Sequence, residues 1–414
     1  MREERLMAAV RDGDAEAVRT LLAEGADADA VDEHGTPALC LAVDAFDRAV
    51  VEELLNPAHA ARVDRPAADG RTPLLRAVGN GDHDIAELLI GRGAHLWPKD
   101  ADGRDALALA RHWHAAGAEA ELRRRSGASG PVGSEKVTDE AGCVCRELSL
   151  GGLKIRDGHT AILTDLEPRY GIRPPFAELL GRALAEPDTD HQVWLATVFT
   201  LQRRDDPAVW AEAAALRDHP DPRARLFGAE VLHAGIVFDD CEDESFDASL
   251  TDLLLPWAAQ EKDLPVLRLL TAGLSSAADP RTERPLLAFT RHDDSVVRSQ
   301  ALSGLHHQVS QGHPEALAAA LACARDTSAG VRETACYALE RAPRDSLASD
   351  ALAACLDDES EAVRVRAAVR LALRDDPRGD EVLRTVDDAD QDSPYYWDLD
   401  QVWRHRHGNR AAGA

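Results

Sequence analysis

Aromatic residues are scarce in this chain: 7 Trp, 4 Tyr and 7 Phe amount to 4% of 414 residues. Sheet sandwiches and barrels draw on aromatic and β-branched side chains, so the composition favours helices packed through small residues. Positive charge is short as well, with 47 Lys and Arg against 74 Asp and Glu and a formal net charge of −27. Counted along the chain, the balance is −8 for residues 1–125, −4 for 126–190 and −15 for the remainder. Binding DNA or an anionic membrane depends on clustered cations that neutralise phosphates, so neither is an expected partner. No apolar run is long enough to cross a bilayer. The opening MREERLMAAVRDGD is charged from its second residue and leads into no apolar segment of the kind a secretory signal carries. The seven cysteines are odd in number, scattered, and mostly inside apolar helical patterns, as in a reducing cytoplasm. Catalytic signatures are missing too: there is no Walker sequence, GxSxG, HExxH or dinucleotide fingerprint. Cys143 and Cys145 are followed by no second ligand pair at a zinc-like spacing. No catalytic, cofactor-binding or metal-ligating residue is therefore expected.

What the chain does have is repetition. Gly35, Gly70 and Gly103 lie 35 and 33 residues apart, and Leu22, Leu55 and Leu89 recur at 33 and 34, the period of stacked helix-pair units. In each unit an Asp and a Gly suit a tight turn. Thr36 and Thr72, directly before Pro37 and Pro73, suit a helix N-cap. Ile85, Leu88 and Leu89 form one helical face that Gly91 and Gly93 terminate. The phrases GTPAL at Gly35, GRTPLLRA at Gly70, NGD at Asn80, AEGADADA and GRGAHL resemble ankyrin repeats over the first 125 residues. The fourth unit, DGRDALALARHW from Asp102, has lost the ThrPro and reads as a degenerate cap.

From Ser126 the text turns small, polar and aperiodic, as a linker does. The stretch CRELSLGGLKIRDGHTAILTDL then alternates around GlyGly and AspGly like a small β-hairpin or meander. Beyond Pro187 a second repeat appears in ARLFGAEVL at Ala224, VRSQALSGL at Val297, VRETACYAL at Val331 and VRVRAAVRL at Val363, each with Asp upstream (Asp221, Asp294, Asp326, Asp358). These lines resemble short HEAT-like repeats. An arginine in the same slot of every unit reads as an Asp-to-Arg ladder between neighbours rather than a phosphate site. VFDDCEDESFDASL, which lengthens one interval, reads as a solvated acidic insertion, with a contact for a basic partner as the alternative. The closing SPYYWDLDQVWRHRHG reads as a short helix capped by Ser393 and starting at Pro394, with Tyr396, Leu399 or Asp400, and Trp403 at helical spacing to close the last repeat.

The expected fold is thus all-α: an ankyrin solenoid over residues 1–125, a linker with a β-hairpin and connecting helix over 126–186, and a HEAT-like solenoid with a capping helix over 187–414. The expected function is a non-catalytic protein–protein interaction scaffold, monomeric and cytoplasmic, with an unidentified protein partner. Helical periodicity turns the positions two after each repeat arginine outward (Phe227, Gln300, Thr334, Arg366), and those five after it (Glu230, Ser303, Tyr337, Val369). The protein-binding candidates are Phe46, Arg76 and Trp113 on the ankyrin side and Phe227, Gln300, Thr334, Tyr337 and Arg366 on the other, with turn tips near Glu33, His34, Ala68 and Asp102 and an exposed Trp97. Two alternatives come from other classes. One is a bilin-lyase-type enzyme, implied by the HEAT-like resemblance alone; the other is a HEAT-like nucleic-acid-binding protein using a local patch of Arg364, Arg366 and Arg370. A catalytic group at Arg156, Asp157 and His159 is the remaining enzymatic option.

Overall fold

Gly35, Gly70 and Gly103 all adopt φ +77, a left-handed conformation open to glycine at little cost. In the computed structural model each donates its amide back three residues, to the carbonyls of Asp32, Ala67 and Asp100. Asp32 Oδ1 accepts the His34 and Thr36 amides, and Asp100 Oδ1 accepts those of Asp102 and Arg104. The repeated phrase therefore folds into the same turn tip three times. The structure describes residues 2–139, 142–204, 206–237, 244–277, 279–344, 347–386 and 393–411. Residues 238–243, half of the acidic insertion between Val237 and Leu250, lie outside them. The described residues form two compact units, Met1–Val209 and Trp210–Ala414.

In the first unit the tips lead into helix pairs α1 (Arg2–Asp12) and α2 (Ala15–Ala23), α3 (Ala38–Asp44) and α4 (Arg48–Leu54), α5 (Pro73–Asn80) and α6 (His83–Gly91), and α7 (Ala106–Ala116) and α8 (Ala118–Ser126). Asp14, Asp47 and Asp82 start the second helices of the first three pairs by accepting the amides of Ala17, Val50 and Ile85 at 2.9, 3.0 and 3.1 Å. Thr72 caps α5 as expected, through the Leu75 amide. Thr36 does not cap α3, which begins one residue later behind Pro37 with no side-chain cap. In the fourth unit Asp105 takes over the capping role, accepting the Ala108 amide at 2.9 Å, so losing ThrPro cost that helix no cap. Helices α1, α3, α5 and α7 form one row, with α2, α4 and α6 behind it.

The core continues beyond the ankyrin segment. Residues read as linker form the edge strand β1 (Gly133–Thr138), paired antiparallel to β2 (Val144–Leu150), which pairs antiparallel to β3 (Leu153–Arg156). Gly151 and Gly152, both at positive φ, make the two-residue turn that sets Leu150 opposite Leu153. The AspGly at Asp157 makes no hairpin turn; Gly158 instead opens helix α9 (His159–Arg169), followed by α10 (Phe176–Ala185) and α11 (Gln192–Gln202). Leu148, Ile155, Ile162 and Leu166 share one buried cluster with Leu75, Leu109 and Trp113. Helix α9 lies against α7, extending the inner row by one place. The reason is apolar: the open face of α7 needs a cover, and the sheet with α9 supplies it.

Helix α12 (Pro207–Ala215) crosses the boundary between the units. The second unit holds α13 (Pro222–Val237), α14 (Glu244–Ala258), α15 (Leu264–Ser276), α16 (Glu283–Phe289), α17 (Ser295–Gly304), α18 (His306–Ser310), α19 (Pro314–Cys323), α20 (Ala329–Glu340), α21 (Ala348–Ala354), α22 (Glu361–Leu373), α23 (Asp380–Thr385) and α24 (Tyr396–Ala411). The helices that carry the repeat arginines pack in series, α13 on α15, then α17, α20 and α22. The ladder joins them. Arg268 pairs with Asp294, Arg298 with Asp326 and Arg332 with Asp358, each through Nε and one Nη on the two carboxylate oxygens, and Arg225 does the same with Glu261. The remaining Nη of Arg298 donates to the carbonyls of His292 and Asp293 at 2.8 Å each, so one guanidinium ties its own entry loop to the next repeat. Asp294 also caps α17. The hydrogen bond from Arg268, with the capping amides and despite some burial, holds its carboxyl down at about 2.

Candidate interaction surfaces

The expected binding residues separate into three groups. Trp113 and Phe227 are enclosed, each 0% exposed, and neither presents a surface. Trp113 is covered because α9 occupies the place beside α7: its indole stacks on the His159 imidazole at 4.2 Å and the Arg125 guanidinium lies 4.2 Å over the ring. Phe227 joins Ala224 and Val231 in a buried stripe at helical spacing, so a large apolar side chain at that slot turns inward. Val369, five after Arg364, is buried for the same reason.

Phe46 and Arg76 are half-buried and occupied within the first unit. Phe46 sits at φ +59 with the Arg156 guanidinium 4.9 Å over its ring. Arg76 bridges Asp44 and Asp69, joining neighbouring ankyrin units. The tips at Glu33, His34, Ala68 and Asp102 are exposed. Trp97 is 62% exposed and packs edge-on against Tyr170 at 4.5 Å.

Thr334, Tyr337 and Arg366 come together in the second unit, lining one open cleft of about 700 Å³ between α20, α22 and the start of α24. Gln300 lies half-buried on α17, outside that lining. Tyr337 is 42% exposed, with the Arg370 guanidinium 4.1 Å and the Arg366 guanidinium 5.1 Å from its ring centroid. Arg366 pairs with Glu333 and Asp398, and Arg370 with Glu340 at 2.7 Å and with Asp398. Burial and the Asp398 charge raise the Tyr337 phenol, against the two arginines, so it stays a neutral hydroxyl at physiological pH. Asp398 and Trp397 were not foreseen as site residues. Helix α24 begins at Tyr396 rather than Pro394, and it packs Leu399 and Val402 on Val365 and Val369, while Trp397 and Trp403 stand 74% and 61% exposed. The adjacent aromatics in SPYYWDLD were the available signal, but their facing depended on which side of the helix packs against Val365 and Val369.

Arg156, Asp157 and His159 diverge. Arg156 donates to the buried Asp82 at 2.9 Å, Asp157 is held by Arg146 and His191, and His159 faces Trp113. Two carboxylate–imidazole groups could be considered for metal, His83 with Glu87 and Asp165, and Asp157 with Glu186 and His191. In the second, His191 Nδ1 accepts the Val193 amide at 3.2 Å as the cap of α11, so Nε2 carries the proton and donates to Asp157. That leaves no imidazole lone pair for an ion. In the first, Arg169 holds Glu87 at 2.8 Å and His83 holds Asp165 at 2.7 Å.

The row of paired helices and the surfaces along it define a repeat protein built from two kinds of helical unit. Residues 6–110 match the family of ankyrin repeats, in three copies, and residues 282–374 match HEAT repeats. The chain thus carries ankyrin repeats in its first part and HEAT repeats in its second, and both classes are generally protein-interaction modules. A search of the curated proteins gave no match. Among solved structures, the X-ray structure of YIBA_ECOLI, from Escherichia coli and a structural genomics target, is 17% identical, covering 54% of this chain and 78% of that one with a TM-score of 0.42.

Proposed function

We propose that the chain is a non-catalytic scaffold that docks a protein partner in the cleft between α20, α22 and α24. The observation that carries this reading is the pairing of exposed aromatics, Trp397 and Tyr337, with a guanidinium–carboxylate network that fixes the cleft wall. Exposed aromatics set on a rigid base are what interface anchors require. The same network argues against nucleic acid there, because Arg366 and Arg370 are already paired with carboxylates. On this reading the protein works as a monomer in the cytoplasm.

The test is crosslinking capture from the native cell with wild type and with Trp397→Ala, which removes an exposed ring and leaves the ion pairs intact. A protein captured by wild type and lost with the variant, at equal thermal stability, supports the scaffold. Identical capture by both moves the docking surface away from this cleft.

A further inference from the structure

The charge of this chain is negative in every segment counted, yet one cavity of the first unit runs against that balance. It encloses about 690 Å³ beside the end of α9, the loop that follows it and the end of α11. Four guanidiniums line it, from Arg169, Arg173, Arg203 and Arg204, with a single carboxylate, Asp165. Arginine near a helix C-terminus has an ordinary explanation, since the last carbonyls attract it. That accounts for Arg169, which donates to the Asp165 carbonyl and to Glu87, and Arg204 is engaged with the Pro174 carbonyl at 2.6 Å. It does not account for Arg173, which lies in the loop, is exposed, and has no carboxylate partner among the described residues. Arg203 is 61% exposed and only loosely paired, 3.6 Å from Asp165.

A further feature leaves the arginines' charge unbalanced. Asp165 is itself neutralised by His83, 2.7 Å away. Burial opposes charge on that imidazole, but the hydrogen bond and charge of Asp165 outweigh it and hold His83 above its usual range. Pro168 and Ile172 add an apolar side.

We infer that this cavity is an anion site for the phosphate group of a small molecule, held by Arg173 and Arg203 with Arg169 and Arg204 behind them. A carboxylate is satisfied by one guanidinium fork, whereas a pyrophosphate presents several charges and oxygens on more than one side, matching donors from several directions. The enclosed volume is that of a small-ligand pocket. The overall negative field is screened within about 8 Å at physiological salt, so the local guanidiniums govern binding at contact.

The experiment is isothermal titration of the full chain with pyrophosphate, at low and physiological salt, with citrate as the carboxylate probe. Saturable binding at one site, weakening with salt, is expected. Arg173→Glu with Arg203→Glu should weaken it by at least about tenfold, as loss of charge-assisted hydrogen bonds does. Both arginines are exposed, so the double variant should keep the wild-type unfolding midpoint, which is checked alongside. No heat with pyrophosphate up to about 5 mM, a limit near the weakest specific affinities, overturns the site. Equal binding by wild type and double variant overturns it too, and citrate binding as tightly as pyrophosphate overturns the assignment to phosphate.

Discussion

His159 is the residue whose burial has the clearest measurable consequence. It is 2% exposed and stacked on Trp113, and burial pushes its pKa down to about 3, against 6.5 for a free imidazole. The unfolded chain therefore binds a proton that the native chain does not. Its contribution is fully present above pH 6.5 and is lost as pH falls from there toward 3, with a limiting slope of about 1.4 kcal/mol per pH unit. Urea unfolding followed from pH 7 to 4 should show that slope, and His159→Phe, which keeps a flat ring against Trp113, should reduce it. An unchanged slope would place the acid sensitivity elsewhere. This residue also shows where reading by sequence stops. Its neighbours Arg156 and Asp157 look like a catalytic cluster in one dimension, but each is drawn to a different partner once β3 and α9 are in place.

Among elements, the arginine ladder was legible because its period, its sign pattern and its place at each helix start all repeat. The sheet was only half legible: GlyGly marked the β2–β3 turn, but β1 is polar and sits at an edge, where alternation carries no signal. The cleft proposed for docking was legible in Tyr337 and Arg366, which follow the repeat frame, and not in Trp397 or Asp398, which belong to a helix outside it. Phe227 and Trp113 misled because periodicity gives a direction on one helix and not what covers it. The arginine-lined cavity escaped notice because RYGIR and LQRRDD stand 30 residues apart among 43 arginines. The rungs of the ladder are unequal in burial, with the Arg332 side chain 8% exposed and that of Arg268 41%. Arg332→Ala should cost about 2–4 kcal/mol because it strands Asp358, and Arg268→Ala about 1 kcal/mol or less. Arg332→Lys should recover little, since an ammonium cannot span both carboxylate oxygens and the Asp326 carbonyl. Urea midpoints of the three variants check the order; equal losses at Arg332 and Arg268 would mean that burial does not set the strength of a rung.

For the whole molecule, the division at Val209 predicts two separate unfolding transitions. Asp82→Ala removes the cap of α6 and the partner of Arg156, and should lower one calorimetric transition by the equivalent of about 3–5 kcal/mol. Arg332→Ala should lower a different one. If both variants shift a single shared transition, the two units unfold as one. The seat of the sheet has another consequence. Gly81 is at φ +68, and a Cβ there would come within 1.9 Å of the Arg156 carbonyl oxygen and 2.4 Å of the His159 ring; Gly158 in turn donates its amide to the Gly81 carbonyl. Only one loop in the array can hold that corner. Repeat proteins commonly gain or lose units by duplication, because each unit contacts only its neighbours. Here the order of units is pinned at this end: a copy of the second unit inserted after the third would bring Phe46 to the place of Gly81, where the sheet leaves no room for a Cβ, so this array should resist that insertion and tolerate a duplicate of the third unit.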